Sequence, residues 1–307
     1  MLPVLAVLSV SILGISTLAG IITNAFIVAV NLYIRDQGVR QNACDLIVCT
    51  LGISNILFLF TMTINDFCTF LWSGKYFTAE IYSYFNVLIF FPIFSSFWFT
   101  VCLCVFYCIQ ILIFTQPLLI KVKKNFSHFV PWLLMWSVLI SLAISVPAAW
   151  SVDYELKKNT STDLTVNITL VGEIPKLNLY YLLISNIIGC TVPLLLVGIS
   201  NVLIIKSLVA HAKQMLSSTS SSTTRGEAGL RAAKTVTLLL FLYITFYISE
   251  ILMFIDMFPP TSPWFTVCLI VIYLYSPIQS VILILGSPKL RSTSLKILSQ
   301  FACCKWG

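Results

Sequence analysis

Charge is scarce in this chain. Of its 307 residues only 9% are charged, with 11 acids against 18 Lys and Arg, where a soluble domain carries roughly 25%. Two soluble domains of ordinary composition are thereby excluded. Histidine occurs only twice, as His128 and His211, and neither has Cys, Asp or Glu at metal-ligand spacing, so no metal is expected. No Walker lysine motif, nucleophile elbow or HExxH is present, and neither enzyme activity nor a cofactor is expected. The start lacks the basic region of a signal peptide and is uncharged up to Arg35, which reads as a retained first transmembrane helix. No internal repeat appears, which counts against a transporter built from inverted halves. Residues 153–178 contain no cysteine, so no disulfide can tie that segment to the third span.

Apolar material is what the chain has. It makes up 59% of the residues, mean hydropathy is +0.98, and it lies in segments long enough to cross about 30 Å of hydrocarbon, which takes about 20 residues each. Seven qualify: 5–34, 46–65, 82–115, 129–152, 179–206, 235–255 and 264–286. The expected fold is an all-α seven-transmembrane helix bundle forming one domain over 1–307, with a short tail at 287–307. Pro92, Pro147, Pro193 and Pro277 fall within spans, where neighbouring helices can satisfy the freed carbonyls.

The net charge of +7 is a matter of topology. Lys75, Lys157, Lys158 and Lys176 lie on one side of the spans and the other 14 Lys and Arg on the opposite side. The basic side is expected to be cytoplasmic, with the N-terminus outside and the C-terminus inside; no nucleic-acid partner is implied. Two glycosylation sequons, at Asn159 and Asn167, fall on the outer loop by this count, whereas Asn125 falls inside and is expected to be unused. The run "SSTSSSTT" at 217–224 reads as a flexible polar linker. Most cysteines lie within spans and act there as small apolar residues. Pairing of Cys68 with Cys268 is left open, and Cys303 and Cys304 beside Lys305 suit palmitoylation.

Polar groups within the spans carry the remaining signal. Asn24 and Asn55 are expected to hydrogen-bond between helices. Glu250 stands alone in "YITFYISEILMFID", and a carboxylate costs several kcal/mol in hydrocarbon. Three readings stay open: an outward cavity, a partner within the bundle, and snorkelling to the interface. Tyr243, Phe246, Tyr247, Met253 and Phe254 share or border its helix face.

The stretch "WFTVCLCVFYCIQILIFTQPLLIKVKK", from Trp98 to Lys124, resembles the third helix of the bitter taste (type 2 taste) receptors, G-protein-coupled receptors. Trp98, Cys102, Leu103, Phe106, Tyr107, Ile111, Phe114 and Pro117 match that pattern. "GIITNAFIVAVN", "PLLLVGISNVLIIKSLVAHAKQM", "EAGLRAAKTV" and "QSVILILGSPKLR" resemble other parts of the family, and only the outer loops are free of the likeness. The chain departs from the family pattern at Asn55 (usually Arg), Gln110 (usually Lys) and Gln279 (usually His), and Ser276-Pro277 is transposed. The rhodopsin-like signatures are absent, the corresponding stretches reading "FTQPLLI" and "SPIQSVI".

The resemblance implies a multi-pass plasma-membrane chemosensory receptor for small bitter agonists, coupled to a heterotrimeric, gustducin-like G protein, with membrane lipid around it. It implies a ligand site among helices three, five, six and seven: Ser95, Trp98, Cys102, Phe246, Tyr247, Glu250, Leu269 and Tyr273. Lys121, Lys123, Lys124, His211, Lys213, Arg231 and Lys234 are expected to face the G protein, although the positive-inside rule alone would also place them there. The competing readings are a type 1 vomeronasal-like pheromone receptor and a small-solute transporter.

Overall fold

The computed structural model describes residues 2–37, 42–71, 79–112, 117–157, 172–217, 223–255, 257–259 and 262–304. Seven helices are long and apolar enough to cross a membrane. In chain order they are α1 (Leu2–Asp36), α2 (Ala43–Leu71), α3 (Ala79–Ile111), α4 (Pro117–Ser145), α5, α6 (Thr223–Phe254) and α7 (Pro263–Gly286). The fifth is composite: Leu179–Asn186, a π-helical turn Ile187–Thr191, then Val192–Ser217. An eighth helix, α8 (Pro288–Cys304), follows α7 after one extended residue, Ser287. Pro288 explains that break, because a proline disfavours helical backbone in the residue before it.

Several expected boundaries move. Helix α4 starts at Pro117 rather than near 129, and α6 at Thr223 rather than near 235. A hydropathy threshold stops where side chains turn polar, but backbone hydrogen bonding continues past that point. Pro117 suits a first helical position, where its missing N–H is no loss. Pro147 lies in a 3₁₀ turn, Val146–Ala149, rather than inside a helix. The segment 287–307 is mainly the helix α8 rather than a plain tail.

The all-α expectation also gains a β-hairpin. Strand β1 (Val152–Lys157) pairs antiparallel with β2 (Gly172–Leu177), Val152 opposite Leu177 and Lys157 opposite Gly172. Asn159 and Asn167 lie outside the described residues, as does most of the 217–224 run.

Helix α3 is the axis of the bundle: 72% of its spanning window is buried, against 28% in α1 and α4. It contacts α2, α4, α5 and α6. The exterior is apolar, with Ile22, Phe60, Trp132, Trp136, Leu195 and Phe241 among many exposed large side chains. Polar side chains turn inward instead, since lipid offers them no hydrogen bonds.

The densest polar cluster joins α1, α2, α3 and α7. Asn55 donates through Nδ2 to Asn24 Oδ1 at 3.1 Å and to Gln279 Oε1 at 2.7 Å. Ser96 donates to Asn55 Oδ1 at 3.1 Å, while Gln279 Nε2 donates to Thr100 Oγ1 at 3.1 Å and Tyr275 Oη at 3.0 Å. Asn24 Nδ2 reaches Ser276 Oγ at 3.2 Å. The interhelical bonding expected for Asn24 and Asn55 is therefore present, and the two departures Asn55 and Gln279 are direct partners. At the other end Lys289 of α8 pairs with Asp45 at 2.9 Å and donates to Asn31 at 3.2 Å, pinning α8 to α1 and α2.

Asn55→Leu removes both Nδ2 donors and leaves Gln279 Oε1 and Asn24 Oδ1 short of partners. It is expected to cost about 2 kcal/mol, read as a lower melting temperature in detergent, and Asn55→Leu with Gln279→Leu is expected to cost less than the two single changes added. Additive losses would mean that the two amides act independently.

Candidate ligand-binding site

Helix α5 does not run regularly past α6. At Ile187–Thr191 its backbone opens to a π turn, and Val192 N–H reaches Ile187 O, five residues back. The adjoining Pro193 has no N–H to continue the regular ladder. Gly189 within the turn is there for space: a Cβ at this position would meet the Phe94 ring of α3 at 2.4 Å.

The π turn sets the groups that α6 contacts. Tyr243 donates to Cys190 O at 2.9 Å, Tyr247 Oη lies 2.7 Å from Thr191 Oγ1, and the Cys190 thiol donates to Glu250 Oε2 at 3.4 Å. Tyr243, Tyr247 and Glu250 are spaced by four and then three residues, one face of a helix. At 4% exposure Glu250 faces α5 inside the bundle rather than lipid, and it accepts from the Cys190 thiol.

Beside this interlock sits an aromatic plug. Phe97 stacks on Tyr243 with centroids 4.0 Å apart and meets Phe246 and Tyr275 edge-on at 5.2 and 5.5 Å. Phe246 and Tyr275 lie 4.7 Å apart. A void of about 10 Å³ between Phe246, Tyr275, Ser96 and Asn55 joins the plug to the polar cluster, room for about one water. A second aromatic layer combines Phe90, stacked on Phe94 at 5.6 Å, with Tyr181 and Phe254.

Ser95, Trp98 and Cys102 form another stripe of α3. Cys102 Sγ lies 3.4 Å from Ser137 Oγ of α4, so the Cys102 end of the stripe faces α4. Ser95 Oγ and Trp98 Nε1 are buried without a hydrogen-bond partner, and so is Asn186 Nδ2, one turn before Gly189. Buried polar atoms are nearly always paired. All three lie within about a turn of Phe94 on α3 or Gly189 on α5, the two residues that meet at the π turn.

The eight expected ligand residues thus divide into separate walls. Tyr247 and Glu250 face α5, Phe246 belongs to the plug, and Cys102, on the α3 stripe it shares with Ser95 and Trp98, faces α4. Tyr273 donates to Asp66 of α2, with Leu269 half-buried one turn before it on α7. Phe97, Tyr275, Cys190, Thr191, Asn186 and Asp66 were not singled out from sequence. Asp66 offered a signal, an acid at the very end of an apolar run.

The opposite end of the bundle holds the expected basic rim. Lys121 is exposed, whereas the Lys123 ammonium donates to Gln110 O at 2.7 Å and Leu112 O at 2.8 Å, satisfying carbonyls at the end of α3. Arg231 and Lys234 line a groove between α6, α7 and α8. Lys124, His211 and Lys213, and also Cys303 and Cys304, lie on helices, but their side chains are outside the described part. Cys68 and Cys268 are both free. Among the described residues no three His, Cys, Asp or Glu side chains gather as a metal site.

Comparison with known proteins agrees with this architecture. The family model described as taste receptor protein (TAS2R) matches residues 1–302. Taste receptor type 2 member 40 of Gallus gallus is 31% identical over 290 residues, 94% of this chain and 93% of its own length. Taste receptor type 2 member 9 of Homo sapiens is 32% identical over 286 residues, 92% and 91% of the two chains. Taste receptor type 2 member 119 of Rattus norvegicus is 28% identical over 286 residues. A match that spans all seven helices, with relatives aligned nearly end to end, shows that the chain belongs to the TAS2R taste receptor family and is a multi-pass plasma-membrane chemosensory receptor of the G-protein-coupled class.

Proposed function

We propose that this receptor detects small, mostly apolar bitter compounds entering from its outer face and passes the signal to a gustducin-like heterotrimeric G protein. The N-terminus and hairpin are outside and α8 inside, as the asymmetry of Lys and Arg directs. The observation that carries the reading is the π turn: α6 holds it through three side chains, while unpaired Ser95, Trp98 and Asn186 flank its contact with α3. π turns recur at functional sites in helices.

An apolar agonist with an acceptor gains by pairing Trp98 Nε1–H or Asn186 Nδ2 and by packing on the surrounding rings. If it fits the active arrangement better than the resting one, it shifts the population by that difference and no more. Carrying the receptor from 1:99 to 99:1 takes about 5.5 kcal/mol of differential affinity. The coupling element is the contact of α5 with α6, which includes the bond from Thr237 to Asn201 Oδ1 at 3.0 Å toward the basic end. Repacking of Tyr243 and Phe246 in the plug rotates or tilts α6, and Lys121, Lys124, His211 and Lys213 lie at the end the G protein would meet, with Arg231 and Lys234 at its edge.

Trp98→Phe keeps the ring and removes the donor; it is expected to weaken agonists bearing an acceptor by about tenfold, one charge-neutral hydrogen bond, and to leave purely apolar agonists unchanged at equal surface expression. Because its carboxylate is buried against Cys190, Glu250→Gln is expected to leave the ratio of potencies for cationic and uncharged agonists unchanged at equal surface expression; a selective loss of the cationic ones would put the acid in contact with ligand. Cells co-expressing the receptor and a gustducin-like chimera are expected to show agonist-dependent calcium release; solute uptake without any G protein would favour a carrier instead.

A further inference from the structure

A groove of about 470 Å³ lies at the basic end between α6, α7 and α8. Arg231 and Lys234 of α6 and Arg291 of α8 line it together with the apolar Leu230, Leu238 and Leu285. Among the described residues none of the three cations has an acid within ion-pair distance; the ion pair of α8 is made by Lys289, which points to α1 and α2. The groove is held open close to the helix axes because α6 and α7 meet through Thr235 and Gly286, where a Cβ on Gly286 would lie 2.5 Å from Thr235 Oγ1.

The direction in which the groove opens decides its occupant. Leu230, Leu238 and Leu285 are exposed, and the exposed apolar surface continues away from the basic end through Phe241 on α6 and Val281 and Ile278 on α7. A pocket for a soluble peptide or a free anion has no use for an apolar track leading toward the middle of the bilayer. We propose that this groove binds a polyanionic phospholipid of the inner leaflet, its phosphorylated headgroup on Arg231, Lys234 and Arg291 and one acyl chain along the track between α6 and α7. Arginine suits phosphate through its planar fork of donors, and lysine adds a point charge. Because the lipid touches the end of α6 that must move in signalling, its occupancy biases the receptor between states, in proportion to its preference for one of them.

The test uses the full-length receptor in phosphatidylcholine nanodiscs carrying a phosphatidylinositol phosphate with a photoreactive acyl chain. Wild type is expected to crosslink on α6 or α7. Arg231→Gln/Lys234→Gln/Arg291→Gln is expected to lose labelling about tenfold or more, each basic residue near a charged bilayer contributing severalfold. Leu238→Trp fills the track without altering charge and is expected to lose labelling too; unfolding curves in detergent without the lipid show whether either variant is folded. Labelling that survives both changes overturns the proposal. So does displacement of the label by soluble inositol phosphate at the same concentration as the lipid, which would make this a free-anion site, or by the G protein's C-terminal peptide, which would give the three cations to that partner. The nanodisc carries the lipid in both leaflets, so the result is independent of the orientation proposed above, which a C-terminal epitope reached only after permeabilisation tests separately.

Discussion

The bundle depends on the exclusion of polar groups from hydrocarbon and, within that constraint, on one amide. Asn55 sits where α1, α2, α3 and α7 converge and donates to Asn24 and Gln279 while accepting from Ser96. Single interhelical hydrogen bonds in membranes are modest, about 0.6 kcal/mol on average. Their effect here comes from connectivity: each amide that loses one partner leaves another buried group unsatisfied. Helix positions that apolar packing alone would leave free to slide are fixed by the donor and acceptor geometry of this cluster.

Outward from that cluster the bundle changes character. The plug of Phe97, Tyr243, Phe246 and Tyr275 separates the polar cluster from the π turn of α5, and Tyr275 belongs to both, through its ring contacts and through Gln279. Tyr243 is likewise shared between the plug and Cys190 O. A displacement of the π turn therefore reaches α7 through two tyrosines, without any long chain of intermediates. The void beside Phe246 and Tyr275 gives those rings a little room in an otherwise filled layer.

Much of this is legible in the amino-acid sequence. Seven spans and the interhelical roles of Asn24 and Asn55 follow from hydropathy and from the cost of burying polar groups. The first strand of the hairpin has a sequence signal too, since Val152, Tyr154 and Leu156 alternate with Asp153, Glu155 and Lys157, the period of a strand, although hydropathy over a spanning window does not register so short an alternation. The helical extensions at Pro117 and Thr223 were hidden because hydropathy measures where a helix enters lipid, not where its backbone bonding stops. Glu250 stands out in the sequence as a lone acid within a span, but more than one environment fits it, because a lone acid in a helix does not say what stands opposite.

Spacing along one chain establishes which residues share a face of a helix, since the geometry of 3.6 residues per turn is local. On that basis the sequence determined the span count, the asymmetry of basic residues and the common face of Tyr243, Tyr247 and Glu250. What each face meets is set by how seven helices pack, and that includes an irregularity no period predicts, the π turn that brings Cys190 and Thr191 to α6. Only the tertiary structure decided that Glu250 meets a thiol, that Cys102 meets Ser137 of α4, and that Arg291 borders one groove with the distant pair Arg231 and Lys234, because contact between helices depends on their mutual rotation and depth, which neither composition nor periodicity encodes.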